Sequence, residues 1–259
     1  ALEKHLGTKL ITRSTRSLTL TGAGSAYLEK CRVILNMVDA AESSLAEERA
    51  VPRGRIRLGL PLTYGLQALM PALLAFAREQ PFIELIMDLS DQRANLIEEG
   101  LDLSVRITAD LQPGDIVRKL GECRLLTLAS PDYVAQHGEP RHPSDLRHHE
   151  CLIYASDNAV STWPYRENGQ TLPIQVRGRI VANNGVALTE AAAQGMGITR
   201  QPDFIAEPYL ARGQVQAVLQ AYENAPLGIY AVLPSNRYIP HRVSVLIEHL
   251  ARMLPSQPH

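Results

Sequence analysis

The 259-residue chain has only three cysteines, Cys31, Cys123 and Cys151, which are far apart and form no C-x-x-C pair. This excludes a disulfide framework or a zinc knuckle and fits a reducing cytoplasm. Aromatic residues make up 5% of the chain, with one tryptophan and three phenylalanines, so any core must be largely aliphatic. No apolar run approaches the roughly 18 residues of a transmembrane helix, and the opening stretch reads without a signal peptide. Formal net charge is only -1, so charge alone does not make the whole chain a polyanion binder. A G-x-S-x-G nucleophile motif is absent, and no convergent acid, base or nucleophile set emerges, which argues against an enzyme.

What the chain does have begins at its first residues. Leu2 and Leu6 read as a helix end that stops at Gly7, a residue suited to positive φ. A short arm carries Arg13 and Arg16 between small hydroxyl residues, and Leu18 and Leu20 alternating with Thr19 and Thr21 read as a strand. This is the helix, wing, helix order of a winged helix-turn-helix. Residues 1–21 hold Lys4, Lys9, Arg13 and Arg16 against the single carboxylate of Glu3. Such a local basic patch matters for DNA more than the global average does.

Thr21-Gly22-Ala23-Gly24 opens a helical stretch predicted to reach about Arg49. Tyr27, Cys31, Ile34, Val38, Ala41 and Leu45 recur at spacings of four and three, a heptad-like seam on an otherwise polar helix. Gly22-Ala23-Gly24 is not a dinucleotide loop, because Tyr27 stands where a third small residue is needed and no βαβ unit follows. Val51-Pro52-Arg53-Gly54 marks a break. Beyond it, strands are expected at 55–60, 83–89 and 101–107, with a helix bearing Leu66, Leu69, Met70, Leu73, Leu74 and Ala77 and a short one at 92–99. That rhythm predicts an α/β domain with a largely parallel sheet. Further expectations are a strand at 123–128 crossing to a second lobe and a helix capped by Ser130 and begun by Pro131. Strands follow near 151–155 and 172–182 around an Asn168-Gly169 turn, then a helix over about 185–195. A strand at 227–233 returns to the first lobe, and an amphipathic helix at 238–253 ends the fold.

These segments resemble the LysR-type transcriptional regulators. The likeness is carried by the opening pattern from Leu2-Glu3 to Ala23-Gly24, with Ile11 where many members have Phe. It continues in Gly-Leu-Asp-Leu-Ser-Val-Arg at 100–106, Ala-Ser-Pro-Asp-Tyr at 129–133, Pro-Ser-Asp-Leu-Arg-His-His-Glu-Cys at 143–151 and Gly-Met-Gly-Ile at 195–198. The resemblance implies an α/β, two-lobed, periplasmic-binding-protein-like effector domain. A long α-helical linker and the remainder of a winged helix-turn-helix, lacking its front, would precede it. The implied boundaries are 1–21 for the DNA-binding remainder, 22–50 for the linker and 51–259 for the effector domain. Lobe I would take 51–127 and 229–259, and lobe II 128–228. The implied partners are a double-stranded DNA operator, a small-molecule effector, and further copies in a homodimer or homotetramer. No cofactor, metal or membrane is implied. A solute-binding receptor of the same fold without DNA function is the rival reading, and the wing arginines and the seam argue against it.

Lys4, Lys9, Arg13 and Arg16 are the candidate DNA contacts, the arginines suiting phosphate or a narrow minor groove. In open α/β lobes, ligands gather at strand ends and helix N-termini, where backbone N–H groups favour anions. Thr63, Tyr64, Arg106, Ser130, Asn183, Asn184, Thr199 and Arg200 are therefore the candidate effector residues. Thr63, Ser130 and Asn184 serve equally as plain caps. The polar pair Arg200 and Gln201 stands where the family often has an apolar residue and is a candidate mark of specificity. A small organic or aromatic acid is the expected effector. His137, His142, His148 and His149 cluster with Asp145 and Cys151, but their spacing does not form the compact pairs of a structural zinc site.

The seam yields a first test. Ile34→Glu with Val38→Glu would place unpaired carboxylates in an apolar interface, at a cost of several kcal/mol. Light scattering should then report a smaller mass or aggregation. An unaltered oligomer would show that the helix packs within its own chain.

Overall fold

The computed structural model describes residues 1–13, 18–45, 51–91, 96, 99–111, 115–154, 160–234 and 239–254. At the N-terminal end, α1 (Leu2–Leu6) stops at Gly7 with φ 67, and β1 (Ile11–Arg13) pairs antiparallel with β2 (Leu18–Leu20). Glu3 ties these pieces together, its Oε1 accepting from Leu10 N at 2.7 Å and Ile11 N at 2.9 Å. The helix α2 (Gly22–Leu45) follows. Thr21 starts it, with Oγ1 accepting from Gly24 N at 2.9 Å. Gly24 admits no side chain, because a Cβ there would lie 1.9 Å from the Leu10 carbonyl oxygen. Thr21 and Gly24 therefore fix where the wing meets the helix.

Lobe I is built from β3 (Gly54–Leu60), a long helix, β4 (Ile83–Leu89), β5 (Leu103–Thr108) and β6 (Ile116–Cys123). The helix has three parts: α3 (Leu62–Tyr64), a π-helical turn over Gly65–Leu69, and α4 (Met70–Glu79). The π turn adds a residue to the repeat and shifts the buried face. Leu66, expected on that face, is 55% exposed, and Leu74 at its edge is also exposed. Leu69, Leu73 and the unforeseen Phe76 carry the packing.

The chain crosses to lobe II at Arg124, between β6 and β7 (Leu125–Ala129), so β7 belongs wholly to the second sheet. The crossing thus comes earlier than position 127. Lobe II continues with α5 (Pro131–His137), a 3-10 turn over Pro143–His148, β8 (Cys151–Tyr154), β9 (Val160–Glu167), β10 (Gln170–Arg177) and β11 (Ile180–Ala182). After them come α6 (Gly185–Ala193), β12 (Ile198–Pro202), α7 (Asp203–Ala211) and β13 (Gln216–Val218). The strand β14 (Leu227–Leu233) returns to lobe I, where α8 (His241–Met253) buries Val243, Leu246, Ile247 and Leu250.

Two five-stranded sheets result, in the orders β4-β3-β5-β14-β6 and β11-β8-β12-β7-β13. Each is mixed rather than largely parallel. In lobe I β3 is parallel to β4 and β5, whereas β14 runs antiparallel to both β5 and β6. In lobe II β7 runs antiparallel to β12 and β13. The strands beside the crossings run against their neighbours. The hairpin of β9 and β10 turns at Asn168-Gly169 and is a separate two-stranded sheet with Pro164 opposite Pro173. Pro164 within an otherwise strand-like run obscured β9 from the sequence.

The His-rich segment is taken up by local bonds. His142 Nδ1 lies 2.6 Å from Ser144 Oγ and its Nε2 3.1 Å from Glu167 Oε1. His149 Nδ1 lies 3.3 Å from the Tyr133 hydroxyl, and His137 stacks on the Tyr133 ring. Burial pushes the thiols of Cys123 and Cys151 up to about 12. Native protein treated with a thiol reagent at pH 8 should leave both unmodified while unfolded protein reacts fully. Rapid native labelling of either, seen by peptide mass spectrometry, would contradict this packing.

Candidate effector cavity

Both sheets end at a cavity of about 680 Å³ between the lobes. Lobe I supplies the loop after β3, with Thr63 and Tyr64, and the end of β5, with Arg106. Lobe II supplies Tyr154, the hairpin residues Ser161 to Pro164, Gly185 at the start of α6, and Arg200 and Gln201 of β12. Across the gap, Phe204 meets Tyr64 edge-on, with ring centroids 5.1 Å apart. Burial pushes the Tyr64 hydroxyl up to about 12, so it stays a neutral donor at physiological pH.

The expected site residues divide by this geometry. Thr63, Tyr64, Arg106 and Arg200 line the cavity. Ser130 is buried elsewhere, its Oγ accepting from Tyr133 N as the cap of α5. Thr199 faces inward between Leu152 O and Gln201. Asn183 precedes α6 and is not a lining residue, while Asn184 caps α6, its Oδ1 accepting from Ala187 N at 3.1 Å. The helix starts expected to receive an anion are thus engaged by the chain itself.

Asp91 shows this most directly. Its Oδ1 accepts from Leu62 N at 2.9 Å, and its Oδ2 accepts from Asn184 Nδ2 at 3.3 Å. A carboxylate of lobe I therefore occupies the start of α3 and reaches the cap of α6 in lobe II. The sequence reading missed Asp91 because nothing local to it reveals either partner. Tyr154 and the hairpin wall with Trp163 were missed for the same reason.

Arg200 has the opposite condition. It is 9% exposed and its guanidinium lies over the Tyr165 ring at 5.0 Å. Its Nε is buried without a hydrogen-bond partner, and no carboxylate among the described residues forms an ion pair with it. Burial depresses its pKa, with Tyr165 opposing the shift. Tyr165 is itself tied to Thr127, hydroxyl to hydroxyl, at 2.9 Å. Glu223 is a carboxylate whose charge acts on Arg200, and Asp88, Asp91, Glu99, Asp110 and Asp115 are elsewhere in the cavity lining.

Two mixed sheets joined by two crossings are matched by known proteins. Residues 49–255 match the family model described as the LysR substrate binding domain. The chain belongs to the LysR family. This LysR-type regulator is 33% identical over 250 residues to the HTH-type transcriptional regulator DmlR of Escherichia coli strain K12, covering 96% of this chain and 81% of that protein. An uncharacterized HTH-type transcriptional regulator of Haemophilus influenzae is 32% identical over 243 residues, covering 94% and 84%. Among solved structures, CrgA of Neisseria meningitidis, a LysR-type transcriptional regulator, is 28% identical with a TM-score of 0.68 and coverage of 98% and 86%. AphB, the Vibrio cholerae virulence activator, is 27% identical at the same TM-score, with coverage of 98% and 87%. The LysR chain is thus a transcriptional regulator with an effector-binding domain rather than an enzyme. No helix among its described residues is long and apolar enough to cross a membrane.

The bridge through Asp91 is testable in the regulator. Asp91→Ala removes the acceptor of Leu62 N and the partner of Asn184. Hydrogen exchange should accelerate in the peptide containing Leu62 and in the first turn of α6, while α8 stays protected. Unchanged exchange at Leu62 would show that Asp91 does not hold this junction.

Proposed function

We propose that this regulator senses a small organic or aromatic acid held between its lobes, with Arg200 as the anchor for the acid group. The observation that carries the reading is the buried Arg200 Nε without a partner beside the cavity. A guanidinium withdrawn from water is costly; the Glu223 carboxylate acts on Arg200 only at a distance, without an ion pair, and an incoming carboxylate offsets more of that cost through two parallel hydrogen bonds. Thr63, Tyr64 and Arg106 complete the near wall. The first-turn N–H groups assigned to the anion on sequence grounds are replaced in this proposal by Arg200, since Asp91 and the caps already use them.

The same reading places operator DNA at the N-terminal module. Lys4 and Lys9 are exposed there, Arg13 stands at the end of β1, and Arg16 lies outside the described residues. Self-association would run along α2. Tyr27 and Cys31 are half-buried on it, whereas Ile34 and Val38 are 58% and 47% exposed in the single chain, apolar surface suited to a second copy. Ala41 and Leu45 lie on the same helix, but their side chains fall outside the described residues. The units proposed are the module of 1–21, the linker of 22–50 and the effector domain from 51 onward, in a cytoplasmic homodimer or homotetramer.

Arg200→Met separates function from stability. Calorimetry with benzoate, succinate and related acids should find binding to the wild type and a loss of about 10- to 100-fold in the variant. Its unliganded melting temperature should be equal or higher, because a buried unpaired charge has been removed. Equal acid affinity in both proteins, or binding of neutral and cationic compounds alone, would overturn the anion reading.

A further inference from the structure

We infer that Tyr165 is the positioning residue of the Arg200 anchor: its ring holds the guanidinium at the cavity where a carboxylate would otherwise be needed, and so leaves the N–H groups to the effector. The inference rests on the anion reading of Arg200 and adds how that side chain is held. Tyr165 is itself 1% exposed and does not line the cavity, so its part in recognition passes through Arg200.

Register brings three residues together. The strands β7 and β12 are antiparallel, with Thr127 opposite Arg200. Directly opposed residues share one face of a sheet, so the Thr127 hydroxyl and the Arg200 side chain stand side by side. On β9, Trp163 and Tyr165 are two positions apart and both buried, so they turn the same way. Trp163 reaches the cavity wall, and Tyr165 meets both members of the sheet pair. Its hydroxyl lies 2.9 Å from Thr127 Oγ1, and Arg200 Cζ lies over its ring, 5.0 Å from the centroid. The first contact ties the ring at its far end. The second sets the guanidinium against a ring that is already fixed.

A carboxylate stabilises a guanidinium by accepting its N–H groups, two at a time in the best geometry. An aromatic face attracts the same charge and takes none of those donors in that way. Arg200 has the second kind of support. Its Nε is buried without a partner, and Glu223 acts on it only at a distance. An arginine side chain has many rotamers, and holding one in advance spares the ligand the cost of ordering it. The hairpin thus supplies a cation that is already aimed and has donors to give.

Calorimetry on the full chain with benzoate and succinate, paired with NMR of isotope-labelled arginine, tests this. In the ligand-free wild type, the Arg200 Hε signal is assigned by its absence in Arg200→Met. Ring current should place it upfield of the other arginines, with an order parameter above about 0.6. Tyr165→Leu removes the ring. It should weaken acid binding about tenfold or more and return Hε to the range of the other arginines. Tyr165→Phe keeps the ring, so the shift should persist and affinity should stay within about threefold of the wild type. Lost packing alone would lower the melting temperature without moving the affinity. Acid binding as tight in Tyr165→Leu as in the wild type, or as weak in Tyr165→Phe as in Tyr165→Leu, would overturn the role of the ring and leave the Arg200 anchor standing. If Tyr165→Leu fails to fold, the wild-type spectrum decides: an unshifted Hε with an order parameter below about 0.6 overturns it. If neither acid binds the wild type, or Arg200→Met binds them equally, the anchor falls and this inference falls with it.

Discussion

Everything between the lobes depends on how the chain passes from one to the other at Arg124. Asp203, 2% exposed, clamps that point. Its Oδ2 accepts from Arg124 N at 2.9 Å, its Oδ1 from Phe204 N at 2.8 Å, and its own N–H donates to Arg124 O at 2.9 Å. The end of β12 is thereby pinned to the start of β7, and charge-assisted bonds of this kind are roughly twice as strong as neutral ones. Phe204 leaves the same corner and reaches the lobe I core, meeting Tyr64. One buried carboxylate thus sets the distance from the Tyr64 wall to the Arg200 floor. The width of the cavity follows from the crossing, not from the loops at its mouth.

Within that width, the polar groups sort by whether the chain satisfies them itself. Asp91 meets the backbone at Leu62 and the side chain of Asn184, so the start of the lobe I helix holds an anion of its own. Ser130 and Asn184 close their helices in the same way. Among the described residues, the buried side-chain atom left without a partner is Arg200 Nε. The fold supplies general anion sites at helix starts, and this chain has filled them.

Much of this architecture was legible because its signals are local. Gly7, the Thr21 to Gly24 turn, the Ser130-Pro131 cap and the apolar spacing of α8 each place an element from a few adjacent residues. Elements whose signals conflict were lost. Pro164 hid β9, and the π turn over Gly65–Leu69 moved Leu66 off the face that a constant 3.6-residue repeat assigns. The Asp203 helix and β13 passed unread, since Asp203 acts through a partner 79 positions away. The cavity was half legible for the same reason. Strand ends point to Thr63, Arg106, Thr199 and Arg200, of which Thr199 turns inward, and a cap and a contact look alike in sequence, as Ser130 shows. Asp91 reaches across 93 positions to Asn184, a separation over which no local pattern survives.

Arg200 also links binding to stability. A leucine in its place would pack against Tyr165 and leave no charge to desolvate. The guanidinium instead carries a desolvation cost that a leucine would not, as sites shaped for function often do. An acid that pairs with Arg200 offsets that cost only in the folded, assembled cavity, because the unfolded chain hydrates its arginine freely. Ligand binding and lobe order are then coupled by mass action, with no separate device required. On the proposed reading, Arg200 lies on the strand that Asp203 ties to the crossing, so any energy gained there acts on the junction that sets how the lobes face one another.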